Sequence, residues 1–267
     1  MRVLCIGDVV ARAGRTALSQ VLPRWCEEHE PDAVIACVDN LAHGKGATPK
    51  TVEELLALGI DALTSGDHVL NASNADELLN HPHYPIIRPQ NCPQGTSGVG
   101  FRRIQMKGGH LLVIHVAGQV FMPEHQGFTS PFEAADAALN EGLKDGPAWV
   151  VVDVHAEATS EKVALGWYLD GRVTAVVGTH THIPTCDEWV LPKGTAYVTD
   201  LGMVGIRESV LGVETDIILR RFTEGGQEPF QPSERGTAVV TGVLVETDSQ
   251  APAAKSIKRL TEYVTLS

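Results

Sequence analysis

The stretch Val173-Thr174-Ala175-Val176-Val177-Gly178-Thr179-His180-Thr181-His182 decides the fold. Its apolar half, Val173–Val177, predicts a strand buried on both faces, the mark of a parallel sheet covered by helices. Its polar half begins where that strand ends. In extended backbone His180 and His182 point to the same side. The design recurs along the chain. Val3–Ile6 ends in Gly7-Asp8, Ala33–Val38 in Asp39-Asn40, and Ile60–Leu63 in Thr64-Ser65-Gly66-Asp67-His68. Trp149–Val154 runs into His155, and Leu111–Val116 is a further strand of this type. Helices are expected between them: Arg15 to Glu28 with Pro23 inside, and Thr48-Pro49 through Leu55-Leu56, where proline suits the first helical position. A third runs from Glu161 to Leu169 behind Thr159-Ser160, with Gly171 as its stop. Thr195–Thr199, Ala238–Glu246 and Ser256–Tyr263 are strand-like and expected to pair antiparallel. The expected fold is α/β, a layered sandwich with mixed β-sheets flanked by helices, in one domain spanning residues 1–267.

Composition narrows the function. The chain of 267 residues carries 21 Lys and Arg against 33 Asp and Glu, a formal net charge of −12. That argues against a basic groove tracking a nucleic-acid backbone and against a polybasic membrane patch, so no stable nucleic-acid complex and no membrane partner are expected. A small anionic substrate stays compatible, because a bound metal outweighs the global field locally. Only Val3 to Ile6 is apolar before Gly7-Asp8, so no secretory signal is read. Five cysteines without a C-x-x-C pair read as reduced thiols in a cytoplasmic protein. Neither a dinucleotide nor a P-loop fingerprint is present, and no G-x-S-x-G marks a serine hydrolase.

The polar strand ends are therefore the centre of interest, since ligands in open α/β sheets bind beyond the carboxyl ends of the strands. Asp8, Asp39, Asn40, Asp67, His68, Asp153, His155, His180 and His182 gather at five such ends. Oxygen and nitrogen donors without thiolate suit Mn, Fe, Zn or a similar divalent ion. They are too many for one tetrahedral zinc and fit two metals sharing a carboxylate. Each residue alone has a plainer reading, as a helix cap, a turn residue or a hydrogen-bonded core histidine. It is the convergence of five ends that points to a metal site, with Asp153 behind the ligands. Arg12, Arg15, Lys45 and Arg207 lie in or near these loops, where contact with a phosphate competes with a solvated-surface role.

These motifs, together with Arg88-Pro89 and Asn91, His155-Ala156-Glu157-Ala158-Thr159-Ser160-Glu161-Lys162, Gly178 to Thr185, and Gly194 to Tyr197 with Thr199-Asp200 and Gly202-Met203, resemble the YmdB-like branch of the calcineurin-like metallophosphoesterases over nearly the whole chain. The resemblance implies a dinuclear site, often iron-containing, and hydrolysis of phosphodiesters, with 2′,3′-cyclic nucleotides favoured. It implies two metal ions, Fe and/or Mn, and a homo-oligomer. By position, Asp8, Asp39, Asn40 and His182 would hold one metal, and Asp39, Asp67, His155 and His180 the other. Asp39 would bridge, and His68 would be the catalytic acid. A metal-activated hydroxide would attack phosphorus while His68 protonates the leaving oxygen.

Three departures stand out. Asp39 stands where the family usually has Glu, Asp67 where it has Asn, and Ala11 where it has Gly. Three carboxylates and a bridging hydroxide leave two divalent ions with no net charge, whereas one ferric ion restores a positive site. A mixed-valence centre or weakened catalysis is the expected consequence. The alternative function is a metal-binding relative serving as a binding or regulatory module.

Overall fold

A computed structural model describes residues 1–146, 148–248 and 253–267. The first half of the chain contains β1 (Arg2–Val9), α1 (Ala11–His29), β2 (Ala33–Cys37), α2 (Pro49–Leu56), β3 (Ala62–Thr64), α3 (Asp67–Leu70), α4 (Ala75–Leu79) and β4 (Ile86–Ile87). Next come β5 (Phe101–Met106), β6 (Gly109–Ala117), α5 (Pro131–Gly142), β7 (Trp149–His155), α6 (Thr159–Leu169) and β8 (Ala175–Thr179). The last part holds β9 (Trp189–Val190), β10 (Ala196–Val198), β11 (Met203–Ile206), α7 (Thr215–Glu224), β12 (Gly236–Thr247) and β13 (Ala254–Leu266).

Two mixed sheets result. Seven strands lie in the order β13-β12-β11-β1-β2-β3-β4 and six in the order β5-β6-β7-β8-β10-β9. In the first, β11, β1, β2, β3 and β4 are parallel, and β12 opposes β1, β11 and β13. In the second, β6, β7, β8 and β10 are parallel between antiparallel edges β5 and β9.

Side-chain alternation builds the layers. Along β1, Leu4 and Ile6 pack beneath α1 and α2, whereas Val3 and Cys5 enter the core between the sheets. Along β6, Leu111 and Val113 face that same inter-sheet core, and Leu112, Ile114 and Val116 pack under α5 and α6. The order of layers is helix, sheet, sheet, helix. Truncating one of its fully buried leucines, such as Leu63, to Ala costs ~2–5 kcal/mol.

The mixed layered sandwich expected from the sequence is the observed architecture, with two corrections. The first helix begins at Ala11, not Arg15. Gly14 is not a breaker: a Cβ there would sit 2.2 Å from the Val204 carbonyl oxygen, so glycine lets the helix lie directly on β11. The expected antiparallel pairing of Thr195–Thr199 holds only toward β9, because its core, β10, runs parallel to β8. All three β10 residues are buried, the same both-face burial that marks the other parallel strands. Among the described residues no helix is long and apolar enough to cross a membrane.

Candidate metal centre

The carboxyl ends of β1, β2, β3, β7 and β8 meet at one cleft. The seven-stranded sheet supplies carboxylates. Asp8, near the end of β1, is fully buried; its Oδ2 accepts from the His180 amide at 3.1 Å and its Oδ1 from the Cys37 thiol at 3.1 Å. Asp39, just past β2, accepts from the amides of His68 at 3.2 Å and Val69 at 2.9 Å. Its carboxylate thus satisfies amides at the start of α3 that no helical carbonyl reaches. Asp67 opens α3, with Oδ2 3.2 Å from His68 Nδ1. Asn40 donates from Nδ2 to the Gly44 carbonyl at 3.1 Å and turns Oδ1 toward His182.

The six-stranded sheet supplies imidazoles. His155 ends β7, and its Nε2 lies 3.7 Å from Asp39 Oδ2 and 3.6 Å from Asp67 Oδ1. It also lies 3.2 Å from His180 Nδ1. His182 Nε2 lies 3.2 Å from Asn40 Oδ1 and 3.9 Å from Asp8 Oδ1. All eight expected site residues are therefore brought together. Gly66 permits it: a Cβ there would be 2.4 Å from His155 Nε2 and 2.7 Å from the Asp39 carboxyl carbon.

Each imidazole is oriented by a partner on its far side. His155 Nδ1 meets Thr179 Oγ1 at 3.1 Å, and that hydroxyl donates to Asp153 Oδ1 at 2.9 Å. His180 Nε2 is 3.3 Å from Glu157, and His182 Nδ1 is 3.0 Å from the Leu211 carbonyl oxygen. One nitrogen of each ring is thereby engaged outward, and the three other ring nitrogens face three carboxylates across one space.

This donor set fits metal ions. Ligand atoms of Asp67, His155 and His180 lie within 4.8 Å of one another, as do those of Asp39, Asp67 and His68. Asp67 Oδ1 is buried without a hydrogen-bond partner. Facing acceptors at 3.2 Å, such as His182 Nε2 and Asn40 Oδ1, are reconciled by a cation between them. Electrostatics records the same crowding. Burial pushes the Asp39 carboxyl up to about 7, His155 pulling against it and Asp67 adding to it. Burial opposes charging of His155, but the adjacent carboxylates of Asp67, Asp39 and Asp8 raise it to about 9.

Sequence reasoning missed four supports. Thr179 is one; its place between the strand and His180 was its only signal. Cys37 is another: the thiol lies beside Asp8 and His155, and burial pushes it well above the ordinary range, so it stays a protonated donor to Asp8. The last two form a clamp. Lys162, 1% exposed, donates to Asp200 Oδ2 at 2.7 Å and to the Thr179 carbonyl oxygen at 2.8 Å. Asp200, with no exposed surface, accepts from the Thr181 hydroxyl at 2.7 Å and its amide at 3.3 Å. The clamp grips both sides of His180, whose φ is +96°, and precedes His182 at +64°. Such left-handed backbone in non-glycine residues persists only where the surroundings hold it.

Residues 4–260 match the family described as YmdB-like protein. The chain is 40% identical over 261 residues to the 2′,3′-cyclic-nucleotide 2′-phosphodiesterase of Bacillus subtilis, covering 97% of this chain and 96% of that protein. The crystal structure of a novel phosphatase from Mycoplasma pneumoniae superposes with a TM-score of 0.90 at 29% identity, covering 98% of this chain and 93% of that one. A calcineurin-like phosphoesterase of Bacillus subtilis shares the fold, with a TM-score of 0.57 at 12% identity over 99% of this chain and 90% of the other.

Proposed function

The chain belongs to the YmdB-like family and is a phosphodiesterase of calcineurin-like fold, and from the cleft we propose that it is metal-dependent and hydrolyses 2′,3′-cyclic nucleotides with His68 as general acid. The observation that carries this reading is the inward convergence of three carboxylates and three oriented imidazoles, with one buried carboxylate oxygen left unpartnered. Asp8, Asn40 and His182 would hold one ion, Asp67, His155 and His180 the other, and Asp39 both. Iron or manganese bound there would supply Lewis acidity, lowering the pKa of a water toward neutral pH and offsetting charge on the phosphate.

The protein's own groups do the rest. The Asp153–Thr179 pair engages His155 at Nδ1, which would leave Nε2 to hold an ion. His68 is fixed by Asp67 at Nδ1, and its side chain remains one-third exposed. Its Nε2 can therefore deliver a proton to the ribose oxygen as the phosphorus–oxygen bond breaks. Asp67 thus has a task of its own, which favours a working enzyme over a weakened relative. Hydrolysis of bis-p-nitrophenyl phosphate and 2′,3′-cyclic AMP with added Mn²⁺ tests the reading. His68→Ala is expected to lose about 10²–10⁴-fold in kcat with metal content retained. Equal rates for the two proteins would remove His68 from the reaction, and activity unchanged by a chelator would remove the metals.

A further inference from the structure

Three buried carboxylates offset most of the charge that two divalent ions would bring to the cleft, so in a chain of net charge −12 a cation at the entrance would help to draw in a phosphodiester anion. Four basic residues near the site loops were in view from the sequence. Three are engaged elsewhere. Arg12 donates to Glu234 at 2.7 Å, and Arg15 to Glu54 and the Leu41 carbonyl, each at 2.6 Å. Arg207 lies 5.1 Å over the Tyr263 ring, out on β13. Deeper in, Lys162 is spent on Asp200.

Lys45 differs. Among the described residues no carboxylate pairs with it, and it is exposed. Its place is fixed by the turn that follows the Asp39-Asn40 pair. The Gly46 amide donates to the Asp39 carbonyl at 2.6 Å, Ala42 and Gly46 bond at 2.7 Å, and the Lys45 amide donates to Ala42 at 2.9 Å. The Gly46 backbone also lies against the His68 carbonyl, where a Cβ would be 3.1 Å away. The turn thus sets Lys45 beside the segment that carries His68, and its ammonium stands 5.8 Å from the Phe230 ring centroid.

Resting on the phosphodiesterase reading, we propose that Lys45 binds the substrate's non-bridging phosphate oxygens, replacing at the rim the positive charge that the carboxylate of Asp67 removes from the centre. A point charge on a flexible stem, anchored by a rigid turn next to the general acid, suits a phosphate that enters and leaves at each turnover.

The test uses the metal-loaded protein, Lys45→Gln and Lys45→Arg. Inorganic phosphate binding is measured by calorimetry, and 2′,3′-cyclic AMP kinetics at several ionic strengths. Lys45→Gln is expected to weaken phosphate about tenfold, to place most of its loss on KM, and to flatten the salt dependence; Lys45→Arg is expected to recover most of the affinity. Unchanged phosphate affinity and KM in Lys45→Gln beside an active wild type would overturn the assignment and leave the phosphodiesterase reading intact. A wild type that binds phosphate through Lys45 yet cleaves no phosphodiester would overturn that reading and leave Lys45 as an anion site.

Discussion

The two sheets furnish the cleft by different means. The seven-stranded sheet delivers Asp8, Asp39 and Asp67; Asp39 is held by the amides of His68 and Val69, and Asp8 by the Cys37 thiol and the His180 amide that reaches it from the other side. The six-stranded sheet delivers His155, His180 and His182, two of them in left-handed backbone, and holds them with buried side chains: Thr179 and Asp153 on its own strands, and the Lys162–Asp200 pair. The Asp39 part of the carboxylate side supports itself, since Asp39 and the start of α3 stabilise each other. The imidazole side is strained and depends on a buried charge pair. Damage to the clamp should therefore separate the two sides.

Lys162→Met makes the largest break. It leaves Asp200 buried without its cation and should cost ~3–5 kcal/mol in chemical unfolding. Isotope-edited NMR of the histidines should show His180 and His182 displaced, while the Asp39-capped start of α3 keeps its amide protection. Uniform loss of protection on both sides would show that they are not separable.

A pH series sharpens the contrast without mutation. His155 is raised to about 9 in the metal-free fold, so its contribution is complete below its unfolded value near 6.5 and is lost as pH climbs to about 9. Asp39, raised to about 7, contributes in the same direction, complete below about 4 and gone by about 7. His180 and His115, both lowered by burial and the His155 charge, act below about 6.5 and do not oppose the trend above it. Metal-free protein is expected to lose Tm steadily between about pH 6.5 and 9. Protein saturated with Mn²⁺ should show a flatter profile, because ligation already requires a deprotonated imidazole. Parallel profiles would argue that His155 is not a ligand.

The smallest effect lies on the carboxylate side. Ala11, at φ +52°, opens α1 three residues after Asp8. Ala11→Gly should relieve this left-handed strain and add ~0.5–1 kcal/mol after the entropy cost of glycine. A loss of stability would mean that the packed methyl group outweighs the strain.

The same division explains what the sequence made legible. Apolar strands ending in Asp, Asn or His revealed both the layered sandwich and the donors, because burial on two faces leaves polar residues only at strand ends. The parallel placement of β10, the helix start at Ala11 and the short α3 depend on close approaches across the fold, which a linear pattern does not carry. Lys162 and Asp200 lay in the quoted motifs without a role, since the pairing that gives them one spans 38 positions. Cys37 reads from the sequence only as a reduced thiol, and burial beside Asp8 makes it a hydrogen-bond donor to the site.

The claim beneath all of this is that the two sides grip cations between them. Anomalous diffraction from crystals soaked in Mn²⁺ tests it most directly. Two peaks are expected, one among Asp8, Asn40 and His182 and one among Asp67, His155 and His180, with Asp39 touching both. No peak at the cleft after saturating Mn²⁺, or a peak that touches carboxylates and no imidazole, would contradict it.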